Sequence, residues 1–347
     1  MRFTKSIVLA AISTVALAAC GGEQAAASRD QIKAVGSSTV YPFAKAAAEE
    51  FTRSFPQYSS PIIESTGTGG GIKLFCAGVG TGHPDIANAS RRMKASEFET
   101  CVQNGVTEVM EIEVGKDGIA IAESKEGQNF PLTTQQIYEA LAKEPYGKPN
   151  TTKNWSDIDP SLPNEPILVY GPPSTSGTRD ALAELILTEG CKADAATAAL
   201  KESDEDRFEQ ICTEVRSDGA YVEQGENDNL IVQKLASNPK AIGIFGYSFL
   251  EENADKLRGL TINGSEPTYE NIASDNYPGA RPLFIYVKKQ HVGAIPGLAE
   301  YLSTWVDNWA KGGLFTQKGM IASPEEAQAK FADVVSNMTT ISASDLK

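Results

Sequence analysis

Ile32-Lys33-Ala34-Val35-Gly36-Ser37-Ser38-Thr39-Val40-Tyr41-Pro42-Phe43 is the run that decides the architecture of this chain. Its first four residues read as a short strand. A hydroxyl-rich turn, 36–39, follows. Phe43, Ala47, Phe51 and Phe55 then recur at a spacing that places one apolar face on a helix. Pro42 suits the first turn of that helix, where its missing N–H has no partner to lose. The unit recurs downstream. Residues 61–64 read as a strand running into Ser65-Thr66-Gly67-Thr68-Gly69-Gly70-Gly71 and an apolar turn, 72–79. Residues 167–170 read as a strand running into Ser174-Thr175-Ser176-Gly177-Thr178-Arg179, with a helix over 181–187. Strand, loop and helix in alternation predict a mixed α/β sheet with ligand loops at strand ends.

The three loops share one chemistry. A helix start exposes unpaired N–H groups and the positive end of a dipole. Hydroxyls add donors, and glycine lets the backbone approach a ligand closely. One such loop binds an anion; three converging would enclose one. The pattern points to a receptor for a small oxyanion, with phosphate as the first candidate. Each loop alone has a plainer reading. Ser38–Thr39 and Ser176–Thr178 could be helix caps, and Gly69–Gly71 a turn.

The N-terminus supplies an address. Arg2 and Lys5 precede an apolar run over 7–19, too short to span a bilayer and readable as the core of a signal peptide. It ends Leu17-Ala18-Ala19-Cys20, which resembles a bacterial lipobox in which Cys20 is lipidated and becomes the first mature residue. Residues 20–30 then read as a flexible tether. The expected location is the periplasm, with the chain anchored to a membrane through lipid.

The chain has 347 residues and a net charge of −14. Its leader, 1–19, carries Arg2 and Lys5 and no acid, so the mature protein is more acidic still. Such a length suits two domains better than one. An acidic surface argues against nucleic acid, which demands basic patches. It does not exclude an anion site, because surface charge is screened over roughly 10 Å at 0.1 M salt while local dipoles are not. Beyond Cys20 the cysteines are Cys76, Cys101, Cys191 and Cys212, which allow three pairings. Cys76–Cys101 and Cys191–Cys212 are favoured, because each closes within one expected domain and an exported chain oxidises. His83 and His291 are the only histidines, both beside turn-like residues, and no metal site or cofactor is expected.

Further along, 85–89 reads as a strand ending at Ser90-Arg91, and Ser96-Glu97-Phe98-Glu99 as a capping box opening a helix to 102. Strands are expected over 118–122, 241–247 and 282–287. Helices are expected over 133–141, 292–309 and 324–335, with a polar turn at 154–158. The acidic stretch 201–207 reads as a solvated helix face or loop.

Six stretches carry a resemblance. They are Val35-Gly36-Ser37-Ser38-Thr39-Val40-Tyr41-Pro42, Gly67-Thr68-Gly69-Gly70-Gly71-Ile72-Lys73, Asp85-Ile86-Ala87-Asn88-Ala89-Ser90-Arg91, Tyr170-Gly171-Pro172-Pro173-Ser174-Thr175-Ser176-Gly177-Thr178-Arg179, Glu226-Asn227-Asp228-Asn229 and Gly243-Ile244-Phe245-Gly246-Tyr247. In this order they resemble the PstS family, the phosphate-binding lipoproteins of bacterial phosphate ABC transporters. The resemblance implies an α/β, two-lobed periplasmic-binding-protein fold of type II that closes over one ligand in its interdomain cleft. The expected division is a first lobe from 31–115 and 281–347 and a second from 116–280. The implied partners are inorganic phosphate and the membrane permease of an ABC importer, with the receptor acting as a monomer.

Carried over by residue, the resemblance makes Ser38, Thr39, the Val40 N–H, Thr68, Ser90, Ser176, the Gly177 N–H and Thr178 the phosphate ligands. One branch of the family has an aspartate after the third strand and an arginine before the Ser-Gly-Thr loop. This chain has Arg91 after Ser90 and Pro172 instead. Arg91 is therefore the expected cation, with Arg92 and Arg179 as alternatives. Asp228 and Asp218 are candidate acceptors for the phosphate proton. The alternatives in function are a receptor for sulfate, molybdate or another tetrahedral anion, and a secreted phosphatase. An enzyme is not expected. The glycine loop lacks the Gly-Lys-[Ser/Thr] ending of a nucleotide hydrolase, and Ser176 lacks the glycine of G-x-S-x-G.

Overall fold

The computed structural model describes residues 29–174, 176–225 and 228–346; the leader and Cys20 lie outside them. The strands are β1 (Lys33–Gly36), β2 (Ile62–Ser65), β3 (Ile86–Ala89), β4 (Val109–Ser124), β5 (Val169–Gly171), β6 (Tyr221–Glu223), β7 (Ile242–Gly246), β8 (Leu257–Gly259) and β9 (Ala280–Lys288). They run in the order β2-β1-β3-β9-β4-β7-β5-β6, with β8 also paired to β4. β1 is parallel to β2 and β3, and β5 is parallel to β6 and β7; every pair made by β4 or β9 is antiparallel.

β4 joins two halves. Its first stretch, Val109 to Gly118, pairs with β9, and Ile119 to Glu123 pair with β7. The sequence pattern gave only the second stretch as a strand. The first is interrupted by Glu111, Glu113, Lys116 and Asp117, and these charges are accommodated by partners distant in sequence. Glu111 is buried, held by Arg92 and by the Tyr286 hydroxyl at 2.9 Å.

Each half builds its own core. In the first, the helix Tyr41–Ser54 buries Phe43, Ala47 and Phe51 as their spacing demands, against Leu298–Asn308 and Glu325–Asn337. The opposite sheet face is covered by Thr68–Phe75 and Ala95–Gln103. In the second half Ile119 to Tyr277 supply one cluster, joined by Ile321. The disulfides are Cys76–Cys101 and Cys191–Cys212, one in each half. In the chain-entropy account, loops of this length contribute roughly 3 kcal/mol each. Among the described residues no helix is long and apolar enough to cross a membrane.

Two local expectations shift, and the solvated helix face expected over 201–207 is found. The helix after β3 starts at Ala95, and the Glu97 carboxylate reaches back to the Lys94 N–H, so the box sits ahead of the Ser96–Glu99 frame. The helix expected from 292 starts at Leu298, because Gly293 and Gly297 take left-handed φ of 83° and 81°. The acidic stretch 201–207 spans two helices, Ala195–Ser203 and Glu205–Thr213, separated where the Asp204 carboxylate caps the second.

Lys288 gives the first half a pH signature. It is fully buried, and its ammonium donates to the carbonyls of Gly78 at 2.6 Å and Pro84 at 2.8 Å. Burial pushes its pKa down to about 8, against the pull of Asp85. Unfolded lysine titrates near ~10.4. Between these values the unfolded chain binds the extra proton, so stability rises with pH. Denaturant titrations should show a gain of about 1.5 kcal/mol between about pH 8 and about pH 9.5. Lys288→Met should lack that gain; an equal rise in the variant would remove Lys288 as its source.

Candidate anion-binding cleft

Two glycines bring the first loops together. Gly36 has φ of +137°, and a Cβ there would lie 2.1 Å from the Asn88 carbonyl oxygen. A Cβ on Gly71 would lie 2.4 Å from the Gly36 Cα. The backbone of the helix Thr68–Phe75 therefore rests directly on the end of β1. Ser37 donates its N–H to the Asn88 carbonyl at 2.9 Å, and its Oγ accepts the N–H groups of Thr39 at 3.2 Å and Val40 at 3.3 Å. Ser37 thus holds the turn ahead of the helix, whose N-cap, Val40, has no side-chain cap, while the Ser38 and Thr39 side chains reach elsewhere. Thr68 Oγ1 accepts the Ser90 N–H at 3.1 Å and lies 3.0 Å from Ser90 Oγ, so the glycine loop is tied to the end of β3.

The third loop comes from the second half. Ser176 Oγ accepts the Thr178 N–H at 3.2 Å. The helix that opens at Gly177 continues through a π-helical stretch, Leu182–Leu187, into Thr188–Cys191. Such π segments are frequent at functional sites. Arg179 lies 4.6 Å from the Tyr221 ring centroid, and the Tyr221 hydroxyl donates to the Pro172 carbonyl at 2.7 Å. Burial raises that phenol to about 12, so it remains a donor at neutral pH. These contacts fix the loop from behind.

The first and third loops touch. Ser38 Oγ donates to Asp180 Oδ2 at 2.9 Å, and a Cβ on Gly177 would meet Thr39 Oγ1 at 2.9 Å. Between them stands a residue the sequence reading missed. Arg281 is 3% exposed, at the head of β9 and opposite Asp117 of β4. Its Nη2 donates to Thr39 Oγ1 at 2.7 Å and to the Gly177 carbonyl at 3.4 Å. Its Nη1 donates to Glu184 at 2.6 Å and its Nε to Asp117 at 3.2 Å. One buried guanidinium thus meets both hydroxyl loops where the halves join. The available signal was weak: a lone arginine leading an apolar strand, with its acid partner in a stretch not read as strand.

Arg91 is placed differently from Arg281. Its guanidinium takes both Glu97 oxygens, at 2.8 and 3.0 Å, within the first half. Burial alone would raise the Glu97 pKa, but the bonds from Arg91 and the Lys94 N–H outweigh it and leave that carboxyl below its ordinary value. Arg91, Ser90, Glu184 and Arg281 nevertheless line one cleft of about 430 Å³. Arg92 pairs with Glu111, and Arg179 is 3.4 Å from Glu223. Asp218 is bound by Arg216, whose Nη1 donates to the Ala140 and Thr152 carbonyls, away from the hydroxyl loops. Asp228 is buried and accepts the Gly246 N–H at 3.0 Å. Asn88, under the first loop and 1% exposed, has neither side-chain amide atom paired among the described residues.

A family model described as a PBP superfamily domain matches residues 21–308. Protein SphX of Synechococcus elongatus is 31% identical over 330 residues, spanning 93% of this chain and 86% of that protein. The phosphate-binding protein PstS of Staphylococcus saprophyticus is 28% identical over 336 residues, spanning 93% of this chain and 92% of that one. Among solved structures, a possible phosphate binding protein from Planctomyces limnophilus superposes with a TM-score of 0.71 at 28% identity. It covers 88% of this chain and 98% of its own.

Proposed function

The chain belongs to the PBP superfamily, with the PstS and SphX proteins, and from that membership we propose that it is a high-affinity receptor for inorganic phosphate that delivers its ligand to an ABC importer. The observation that carries this reading is Arg281, a buried guanidinium bonded at once to Thr39 of one half and Gly177 of the other. Oxyanions are recognised by such a fork, by hydroxyls and by helix-start N–H groups. The proposed ligand set is Ser38, Thr39, the Val40 N–H, Thr68, Ser90, Ser176, the Gly177 N–H and Thr178, with Arg281 as the buried cation and Arg91 at the rim. The lobes proposed are 31–115 with 281–347, and 116–280, hinged at β4 and at the entry to β9.

The chemistry is binding and release, with no bond made or broken. Closing the lobes removes water from the anion, where each charge-assisted hydrogen bond is stronger than it would be in solvent. The partner is the importer's permease, reached while Cys20 holds the protein by lipid to a membrane face in the periplasm. Calorimetry of the mature chain against phosphate, sulfate and molybdate tests the reading. One phosphate per chain, bound more tightly than the other two anions, is the expected result. No phosphate binding, or tighter sulfate or molybdate binding, would overturn it. Turnover of a chromogenic phosphate ester would assign the fold an enzymatic role instead.

A further inference from the structure

The halves also meet along a second flank, which shares no lining residue with the anion cleft. A space of about 250 Å³ opens there, lined by Ser248, Glu251 and Tyr269 of the second half and by Lys311, Thr316 and Gly319 of the first. Its walls touch: a Cβ on Gly319 would lie 2.8 Å from Ser248 Oγ. Lys311 bridges them, with its ammonium 4.4 Å from the centroid of the Tyr269 ring. Both ends of this contact are anchored. Lys311 stands at a corner where the Gly312 N–H donates to Thr316 Oγ1 at 2.9 Å and Gln317 Nε2 donates to the Gly312 carbonyl at 2.9 Å. Phe315, fully buried in the first core, pins that corner. Tyr269 opens the helix Tyr269–Ala273, where Thr268 Oγ1 accepts the Asn271 N–H at 3.2 Å, and it packs against the second core. The surroundings suit a cation. Burial raises the Tyr269 phenol above its ordinary value, and the nearby Glu251 and Glu270 carboxylates add to the rise. Arg258, which lines the adjoining groove, is already held by Glu123 at 2.8 Å.

Resting on the phosphate-receptor reading, we propose that Lys311 and Tyr269 form a clasp between the halves that holds the closed arrangement and slows phosphate release. Both are positioning residues, since neither lines the anion cleft. The ammonium belongs to a corner fixed to one core, and the ring to a helix packed on the other. Swinging the halves apart draws one from the other, so the contact is lost on opening. An interaction made in only one of two arrangements shifts the equilibrium toward it. A chain biased toward closure spends less of its binding energy on bringing the halves together. The anion leaves when the cleft opens, so the effect falls on the release rate. Lys311 is exposed, and a cation over an aromatic ring at such a site is worth a few-fold in an equilibrium. The glutamates beside the ring favour the lysine there and oppose an anion, which separates this flank from the phosphate site.

Three measurements on the mature chain test the clasp. Exchange of radiolabelled for unlabelled phosphate reads release, calorimetry reads affinity, and small-angle X-ray scattering without phosphate reads the separation of the halves. Lys311→Met should speed release by about 3-fold, weaken affinity by about the same factor and enlarge the radius of gyration. Its melting temperature should not move, because neither core is touched. Lys311→Arg keeps a cation over the ring and Tyr269→Phe keeps the ring, so each should release phosphate within about 1.5-fold of the unmodified chain. Lys311→Met added to Tyr269→Ala should change release no further than Tyr269→Ala alone. Unchanged release and radius in Lys311→Met overturn the proposal. So do equal acceleration in the conservative variants, additive effects in the double variant, or a lowered melting temperature with unchanged release. If the unmodified chain binds no phosphate, the receptor reading fails, and the clasp still stands or falls on whether Lys311→Met expands the chain.

Discussion

Arg281→Ala should weaken phosphate binding by about 3 kcal/mol or more, a loss of more than about 100-fold. The guanidinium is bonded to both hydroxyl loops, and it is buried. Truncation removes its donors and leaves Asp117 and Glu184 facing the cleft without their cation. The loss therefore combines missing attraction with new repulsion. Arg281→Lys keeps the charge but not the planar fork and should fall between the two. Arg91→Ala should cost less, about 10-fold or under, because the strongest bonds of Arg91 go to Glu97 in the same half. Calorimetry of the three variants decides it. A loss in Arg91→Ala equal to that in Arg281→Ala would return the cation's role to Arg91.

The contrast between these arginines shows where sequence reading ends. The hydroxyl loops were legible because a helix start has a local grammar: strand, glycine, hydroxyls, then apolar residues at helical spacing. Even there the detail moved by one residue. Ser37 binds the N–H groups of the turn, and Ser38 and Thr39 cross to the other half. Arg91 drew attention through the resemblance, because it stands where one branch of the family has an aspartate and Pro172 stands in place of that branch's arginine. Its pairing with Glu97 depends on the start of the next helix, which the sequence frame put in the wrong place. Arg281 had no local signal. Its meaning comes from Asp117 opposite it on β4, and that stretch of β4 was hidden because its charges interrupt the apolar pattern. The π-helical stretch 182–187, which carries Glu184 toward Arg281, has no reliable sequence signature either. What is missing in each case is a pairing between distant segments. A rule of propensity or spacing acts within one segment and does not report it.

Gly177→Ala should separate folding from closure. A methyl group there would stand 2.9 Å from Thr39 Oγ1 and 3.0 Å from the Thr39 Cα and N. Backbone atoms do not yield as a flexible side chain would, so the two loops must move apart. Gly177 itself is not among the glycines with positive φ, and alanine suits a helix start of this geometry without backbone strain. Each half keeps its core, its sheet and its disulfide. The melting temperature should therefore change little, while phosphate affinity drops by about 10- to 100-fold, since the Arg281 bonds to Thr39 and Gly177 lengthen together. Gly36→Ala supplies the opposite case. There the added Cβ would meet the Asn88 carbonyl at 2.1 Å inside one half, at a φ that alanine rarely adopts. That variant should lose about 3 kcal/mol or more of stability as well as its ligand. Thermal melts beside calorimetry read both quantities. If Gly177→Ala binds phosphate as the unmodified chain does, the contact between Thr39 and Gly177 is not what closes the site, and the cleft must grip its anion without bringing these loops together.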